Sequence, residues 1–472
     1  IFWQLLIFSL PFIIYIHSLK NNFMFGDDET IILNNVFLKN WKYFPKFFTE
    51  NFFAGSGTLT DFWRPLQLII YSLIAHTAGI KPWAFHLSSI LFHSLCGVFI
   101  FIIFYKLMYK NAKPAIIALM VLIWSVHPNH TEDLAGVSGL GSPSYLFWML
   151  LGLFSFLIFE EKKKWYFYII CLTSFIFALF SKESAVIFPG LLLGMHITAI
   201  KTGLFHKISI KDYLYRHFVF WLVALFYIIA RLTFLNFSNT LNFYNQSNIF
   251  TQNLHYRLFT LFTVFTHGLR IIIFPCGINP ERSWLVFTSF FSLNVVLSFL
   301  ILAIISTVAI ISWRKNPIFS FGIFWFFFSY LPMSNIVAQI NAVVCDHWFY
   351  APSVGIFLSI TSLFLLIKNN LYQKVLLVFL GVVIMAFSIR TFSLLPHWNN
   401  SESYFRFVLA REPYSVRGWN NLAMCLSDRG EANDAIQCYL RAIKLSDVYA
   451  QTHNNLANEY LNLKRYDLAE KE

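Results

Sequence analysis

Apolar residues run through this chain in long blocks, with polar residues confined to short intervals between them. The blocks recur roughly every 25 to 35 residues, the spacing of bilayer-crossing helices joined by short loops. The pattern predicts spans over residues 2–19, 84–108, 114–127, 143–159, 165–180, 184–200, 217–235, 284–313, 317–335, 352–368 and 373–390. The expected fold class is all-α: a polytopic helical membrane protein with about 11 spans plus interfacial helices. The first block is long, aromatic and without a small-residue cleavage site, so it counts as a span.

Basic intervals set the orientation. Lys106, Lys110 and Lys113 follow one block, Lys162 to Lys164 another, and Lys201, Lys207 and Lys211 a third. Arg314 with Lys315, and Lys368 with Lys374, complete a cytoplasmic set under the positive-inside rule. The alternation holds only if 63–80 lies along the interface and 256–275 is interfacial or re-entrant. Beyond Arg390 the pattern changes. Asn420-Asn421-Leu422-Ala423 recurs 34 residues later as Asn454-Asn455-Leu456-Ala457, and Ala435 recurs as Ala469. That period specifies tetratricopeptide helix hairpins. Residues 1–392 therefore read as a transmembrane domain and 393–472 as truncated repeats on the extracytoplasmic side. With no initial Met and an end inside a repeat, the chain reads as a fragment.

Composition sharpens the picture. The 472 residues are 57% hydrophobic and 12% charged, with 56 Phe that reflect compositional drift more than aromatic chemistry. A net charge of +12 in a soluble protein would suggest nucleic acid. Here it lies in the short loops, and no basic patch with stacking aromatics stands outside the membrane, so nucleic acid is excluded as a partner. The six cysteines have no metal-binding spacing. Cys276 and Cys345 fall on one side, where a disulfide is allowed.

Charged groups beside a bilayer need a reason. Those on the face opposite the basic loops are Asp27-Asp28-Glu29, Arg64, His127 to Glu132, Lys182-Glu183 and Asp346-His347. Their convergence suggests one site. Asp27 or Asp28 can act as a general base; the plain alternative is a helix N-cap. Arg64 suits a phosphate, or snorkels to lipid head groups. His127, His130 and Glu132 fit substrate or phosphate contacts, or structural interfacial roles. Their spacing, interrupted by Pro128, is not that of a zinc helix, so no metal is expected. Lys182 can neutralise a phosphate with Glu183 orienting it, or both sit in a solvated turn. Asp346 and His347 precede an aromatic belt and suit an acceptor or lipid contact, or a structural role. Two rivals to an enzyme remain: a non-catalytic scaffold recruiting partners through its repeats, and a transporter of a lipid-linked sugar, which would need acids near the midplane.

The ordered motifs resemble a family. Phe23-Met24-Phe25-Gly26-Asp27-Asp28, Trp63-Arg64-Pro65-Leu66, His86-Leu87 with His93, and His127-Pro128-Asn129-His130-Thr131-Glu132 come first. Ser181-Lys182-Glu183, Leu331-Pro332-Met333-Ser334-Asn335, Asp346 to Ser353, Trp398 and the repeats follow. The set is similar to the transmembrane and tetratricopeptide repeat-containing O-mannosyltransferases and their bacterial relatives. The resemblance implies a C-type glycosyltransferase fold. It implies transfer of a sugar, typically mannose, from a polyprenyl- or dolichyl-phosphate donor to Ser or Thr hydroxyls of an acceptor polypeptide. It favours Asp27 over Asp28 as the base and implies no metal or other cofactor. The implied location is the endoplasmic reticulum membrane with a lumenal site, or a bacterial inner membrane with a periplasmic one. The sequons Asn236-Phe237-Ser238, Asn245-Gln246-Ser247 and Asn399-Asn400-Ser401 are compatible with the first. Two departures stand out. The family's Gly-Arg-x-Asp is Gly139-Leu140-Gly141-Ser142 here, and its Asp-Arg-Tyr is Asp346-His347-Trp348.

Overall fold

The computed structural model describes residues 1–207, 209–237, 249–340, 342–447 and 450–472, and these contain helices and no strand. The sequons at Asn236 and Asn245 end or lie outside the described residues, whereas Asn399 is exposed. Every expected span contains a helix. Among the described residues, seven helices are long and apolar enough to cross a membrane. The longest regular one, Pro82–Leu107, has 26 residues and rises about 39 Å at ~1.5 Å per residue. Proline sets several starts: Pro65, Pro82, Pro114 and Pro317 each open a helix, where the missing N–H has no intrahelical acceptor to lose.

One helix too short to cross alone is enclosed by others. Pro114–Ser125 has 12 residues and is buried from Ile116 through Ser125 except at the half-buried Leu119. Its neighbours take over the job of lipid contact, so the irregular segment after it is shielded from hydrocarbon. On the outside, Ile210–Leu232 exposes Phe218, Trp221, Leu225, Phe226 and Ile229, and Leu293–Ser312 exposes Leu300, Ile304, Val308 and Ile311. Such broad apolar faces suit acyl chains, not water.

Several expected boundaries shift, and the helix expected from 217 already begins at Ile210. The span expected over 284–313 becomes helical only at Leu293. The preceding chain is held irregular because Arg282 reaches back to Asp346 through bonds of 3.0 and 2.7 Å. The span expected over 317–335 ends at Tyr330, where Pro332 cannot continue it. Pro65–Ala78 and Leu254–Ile273 are the two helices expected at the interface. The second passes so close to Phe349 that a Cβ on Gly268 would stand 2.1 Å from that ring. The six cysteines are free thiols, so the Cys276–Cys345 bridge allowed by the sequence is not formed.

The repeats fold as hairpins, Val416–Asp428 with Ala432–Leu445, then Ala450–Asn462 with Tyr466–Lys471. Ala423, Ala435 and Ala442 are fully buried where helices close on each other, and Tyr439 and Leu456 fill the larger gaps. The 34-residue period reaches the backbone: Gly430 and Lys464 both turn left-handed, at φ of 79° and 59°. The segment that leads into the repeats is fastened to the membrane domain. Ser401 accepts the Phe25 N–H at 2.7 Å, and Asn399 accepts that of Asn22 at 3.0 Å.

Candidate functional site

Asp27 and Asp28 are adjacent but occupy opposite environments. Asp28 is fully buried and accepts the Met24 N–H at 2.9 Å and the Ser138 N–H at 2.8 Å. It thus ties the first loop to the segment after Pro114–Ser125. Burial raises its carboxyl to about 7, against the pull of these two N–H groups. Neither bond goes to the turn that follows, so the N-cap reading does not describe it. Asp27 keeps solvent contact. The protein around it nevertheless displaces bulk water and raises its carboxyl above the ordinary range, while Arg417 and then Arg64 pull it back down. The charge of Arg64 is therefore felt at Asp27, 37 residues away in sequence.

Arg64 immediately precedes Pro65–Ala78 and is held by Glu183. Its Nη2 lies 3.1 Å from Oε2, and its Nε is 3.3 Å from both carboxylate oxygens. The Phe62 ring covers the guanidinium at 4.5 Å. Nη1 takes no part in these bonds. Trp63 N–H also donates to Glu183, at 3.4 Å. Glu183 thus orients an arginine, where the sequence had suggested that it orients Lys182. Lys182 is buried and donates to Ser142 Oγ at 2.9 Å. Burial, and then Arg64, lower its ammonium from the usual lysine range.

The family departure at 139–142 now has a local reason. Gly139 packs against Asp133, whose carbonyl would be 2.5 Å from any Cβ there. Leu140 is fully buried in the apolar cluster with Phe85 and Tyr71. Ser142 is the acceptor for Lys182. Apolar packing and a hydroxyl occupy the places of an arginine and an aspartate.

The remaining expected residues divide. His347 Nδ1 is 2.9 Å from Glu132 Oε1, and both are partly exposed. Burial works against the imidazolium, but Glu132 outweighs it and raises the His347 pKa. His347 in turn is close enough to lower the Asp27 pKa. His127 faces away: its Nε2 meets the Ile272 carbonyl at 2.9 Å and its Nδ1 accepts the Asn129 N–H at 3.2 Å. Both nitrogens are spent inside the protein. His130 is buried among His93, Trp124 and Tyr350. Asp346 is buried too, taking His267 Nε2 at 2.7 Å, both Arg282 bonds and the Asn279 N–H at 3.0 Å. Burial alone would raise its carboxyl, but His267 and Arg282 bring it down to about 2. Among the described residues no group of three or more His, Cys, Asp or Glu side chains is arranged to hold a metal ion.

Three groups escaped the sequence reading. Arg417, at the start of the first repeat, pairs with Glu281 at 3.0 Å and is the strongest attraction on Asp27. Glu281 follows a Pro in an irregular loop, and nothing local marks it. Asp133 is buried beside the Ser142–Lys182 pair, and burial raises it to about 6 while His347 and Lys182 pull it down. Its place one residue after Glu132 was the only available signal.

A tetratricopeptide repeat family model matches residues 416–449. Similar curated proteins include the protein O-mannosyl-transferase TMTC3 of Homo sapiens, 23% identical over 97% of this chain and 53% of its own length. Protein O-mannosyl-transferase TMTC1 of Homo sapiens is 22% identical over 94% of this chain and 55% of its own. Protein O-mannosyl-transferase F38B6.6 of Caenorhabditis elegans is 22% identical over 95% and 63%. The chain thus spans about half the length of the first relatives it matches. Their similarity extends across both the helical bundle and the start of the repeats.

Proposed function

We propose that this chain, which fits the transmembrane and tetratricopeptide repeat-containing O-mannosyltransferase family along nearly its whole length, is the catalytic part of a membrane glycosyltransferase. It moves a sugar, most simply mannose, from a polyprenyl-phosphate donor to a protein Ser or Thr hydroxyl. The observation that carries this reading is the split between the two acids. Asp28 is consumed in fastening a loop, which leaves Asp27, with no hydrogen bond of its side chain among the described residues, in the field of two arginines.

The acceptor hydroxyl oxygen attacks the anomeric carbon as its proton passes to Asp27. The bond from that carbon to the phosphate oxygen breaks, and the phosphate leaves with the electron pair. Attack opposite the leaving group inverts the centre. A raised carboxyl is the stronger base for this step, provided the pH keeps it ionised. The leaving phosphate needs positive charge more than a proton donor, and Arg64, with Nη1 free, supplies a fork for it. Lys182 adds charge behind Ser142. Glu132 holds His347 and raises its pKa, which favours positive charge beside the site. Asp346, His127 and His130 act by positioning the walls. The acceptor polypeptide arrives along the repeats, whose first helix carries Arg417. The site faces the lumen of the endoplasmic reticulum or, in a bacterium, the periplasm.

The test is transfer itself. The purified chain is incubated with defined polyprenyl-phosphate sugars and a serine- and threonine-containing peptide. Mass spectrometry and the anomeric configuration of the product are read. Transfer with inversion from a mannose donor supports the reading. Transfer with retention, or from nucleotide sugars alone, contradicts it.

A further inference from the structure

A second charged recess lies at the opposite end of the bundle. Helix Pro82–Leu107 begins where Phe85 packs on Phe23, beside the Asp27 loop, and ends at Leu107, which lines this recess. The rise of that helix puts the two about 39 Å apart. The cavity has a volume of about 220 Å³ and takes its walls from four separate stretches of chain. Lys110, Lys201, Arg314 and Lys315 all line it, and no carboxylate does. None of the four has an ion-pair partner among the described residues.

Surface cations normally point apart into water. These are gathered by specific contacts. Lys201 lies 5.0 Å from the Trp313 ring, and Lys110 lies 5.7 Å from the Tyr109 ring. Tyr109 Oη donates to the Gly203 carbonyl at 2.7 Å, which closes one side. Gly203 is needed there because its φ is +79°. Asn316 bonds Ser362 at 3.1 Å and fixes the floor. Four like charges around one hollow repel each other, and an anion removes that penalty.

We infer that this recess binds the phosphate-bearing headgroup of an anionic membrane lipid. The rim favours a lipid over a soluble ion. Leu365 and Leu366 line the cavity, Leu366 is 59% exposed, and Ile310 and Ile311 nearby are 74% and 70% exposed. A lipid phosphate can sit among the cations while its acyl chains run along that apolar flank. Anionic headgroups are attracted to juxtamembrane Lys and Arg in just this setting. The inference does not depend on what Asp27 does.

The experiment uses the whole chain in neutral detergent. Binding of short-chain phosphatidylserine, phosphatidylinositol 4-phosphate and phosphatidylcholine is measured by native mass spectrometry and thermal stabilisation, beside inorganic phosphate. The Lys201→Gln/Arg314→Gln pair should weaken anionic-lipid binding about thirty-fold, from removal of two near-surface cations. The Lys162→Gln/Lys164→Gln pair, on exposed positions outside the recess, should change it less than threefold. Equal losses in the two pairs would overturn the site in favour of diffuse attraction. Stabilisation by inorganic phosphate equal to that by the lipids would overturn the lipid assignment. If the first pair does not elute as the parent does in size exclusion, Lys110→Gln/Lys315→Gln replaces it, with the same expected loss and the same refuting result.

Discussion

Replacing Arg64 by lysine keeps the charge of the recess and removes the fork. Arg64 does two jobs at once in the proposed mechanism. Nε and Nη2 anchor it to Glu183 through contacts of 3.1 to 3.3 Å, and Nη1 is left for the donor phosphate. A lysine Nζ can reach the carboxylate or the phosphate but not hold both. The anchoring bonds are long, and the side chains are 13% and 24% exposed, so their loss counts for only about 1 kcal/mol after screening. The loss of an oriented charged hydrogen bond to phosphate adds about 2 kcal/mol. Together about 3 kcal/mol of transition-state stabilisation disappears, roughly a 100-fold fall in kcat/KM. The assay is transfer of labelled mannose from a polyprenyl-phosphate donor to a peptide, with thermal unfolding of the same preparations. Unchanged folding with kcat/KM within threefold of the parent would refute the reasoning, because charge alone would then suffice.

Other consequences concern the acids that the mechanism leaves out. The Asp28 carboxyl, raised by burial to about 7, makes the fold tightest when protonated. Its contribution is fully present below the unfolded carboxylate range near 4 and is lost as pH climbs through about 7. The swing is at most about 4 kcal/mol, so the Tm should fall between pH 5 and 8, and Asp28→Asn should flatten that slope. Asp346→Asn leaves Arg282 and His267 without their shared carboxylate and should cost about 3 kcal/mol, seen as a lower denaturation midpoint.

The helices were legible because a chain in hydrocarbon must satisfy its own backbone, and hydropathy follows directly from that demand. The repeats were legible through the 34-residue return of Asn420 and Leu422 at Asn454 and Leu456. Asp27, Arg64 and Lys182 stood out because charge beside lipid is scarce. What each one does was not legible. The difference between Asp27 and Asp28 rests on the Ser138 N–H, 110 residues away. Glu183 chooses Arg64 over Lys182 only once two distant turns meet. His127 and Asp346 look like ligands in sequence, yet their partners, the Ile272 carbonyl and Arg282, come from regions without any motif. Arg417 belongs to a repeat whose pattern explains its neighbours but not its charge.

The central claim is that Asp27, and not its neighbour, takes the proton of the acceptor. Asp27→Asn and Asp28→Asn should be compared in the same reconstituted vesicles, with donor binding and turnover measured separately. The account predicts that Asp27→Asn binds donor and unfolds like the parent while turnover falls by at least about a thousandfold, and that Asp28→Asn retains turnover in whatever fraction is folded. Undiminished turnover in Asp27→Asn would contradict it.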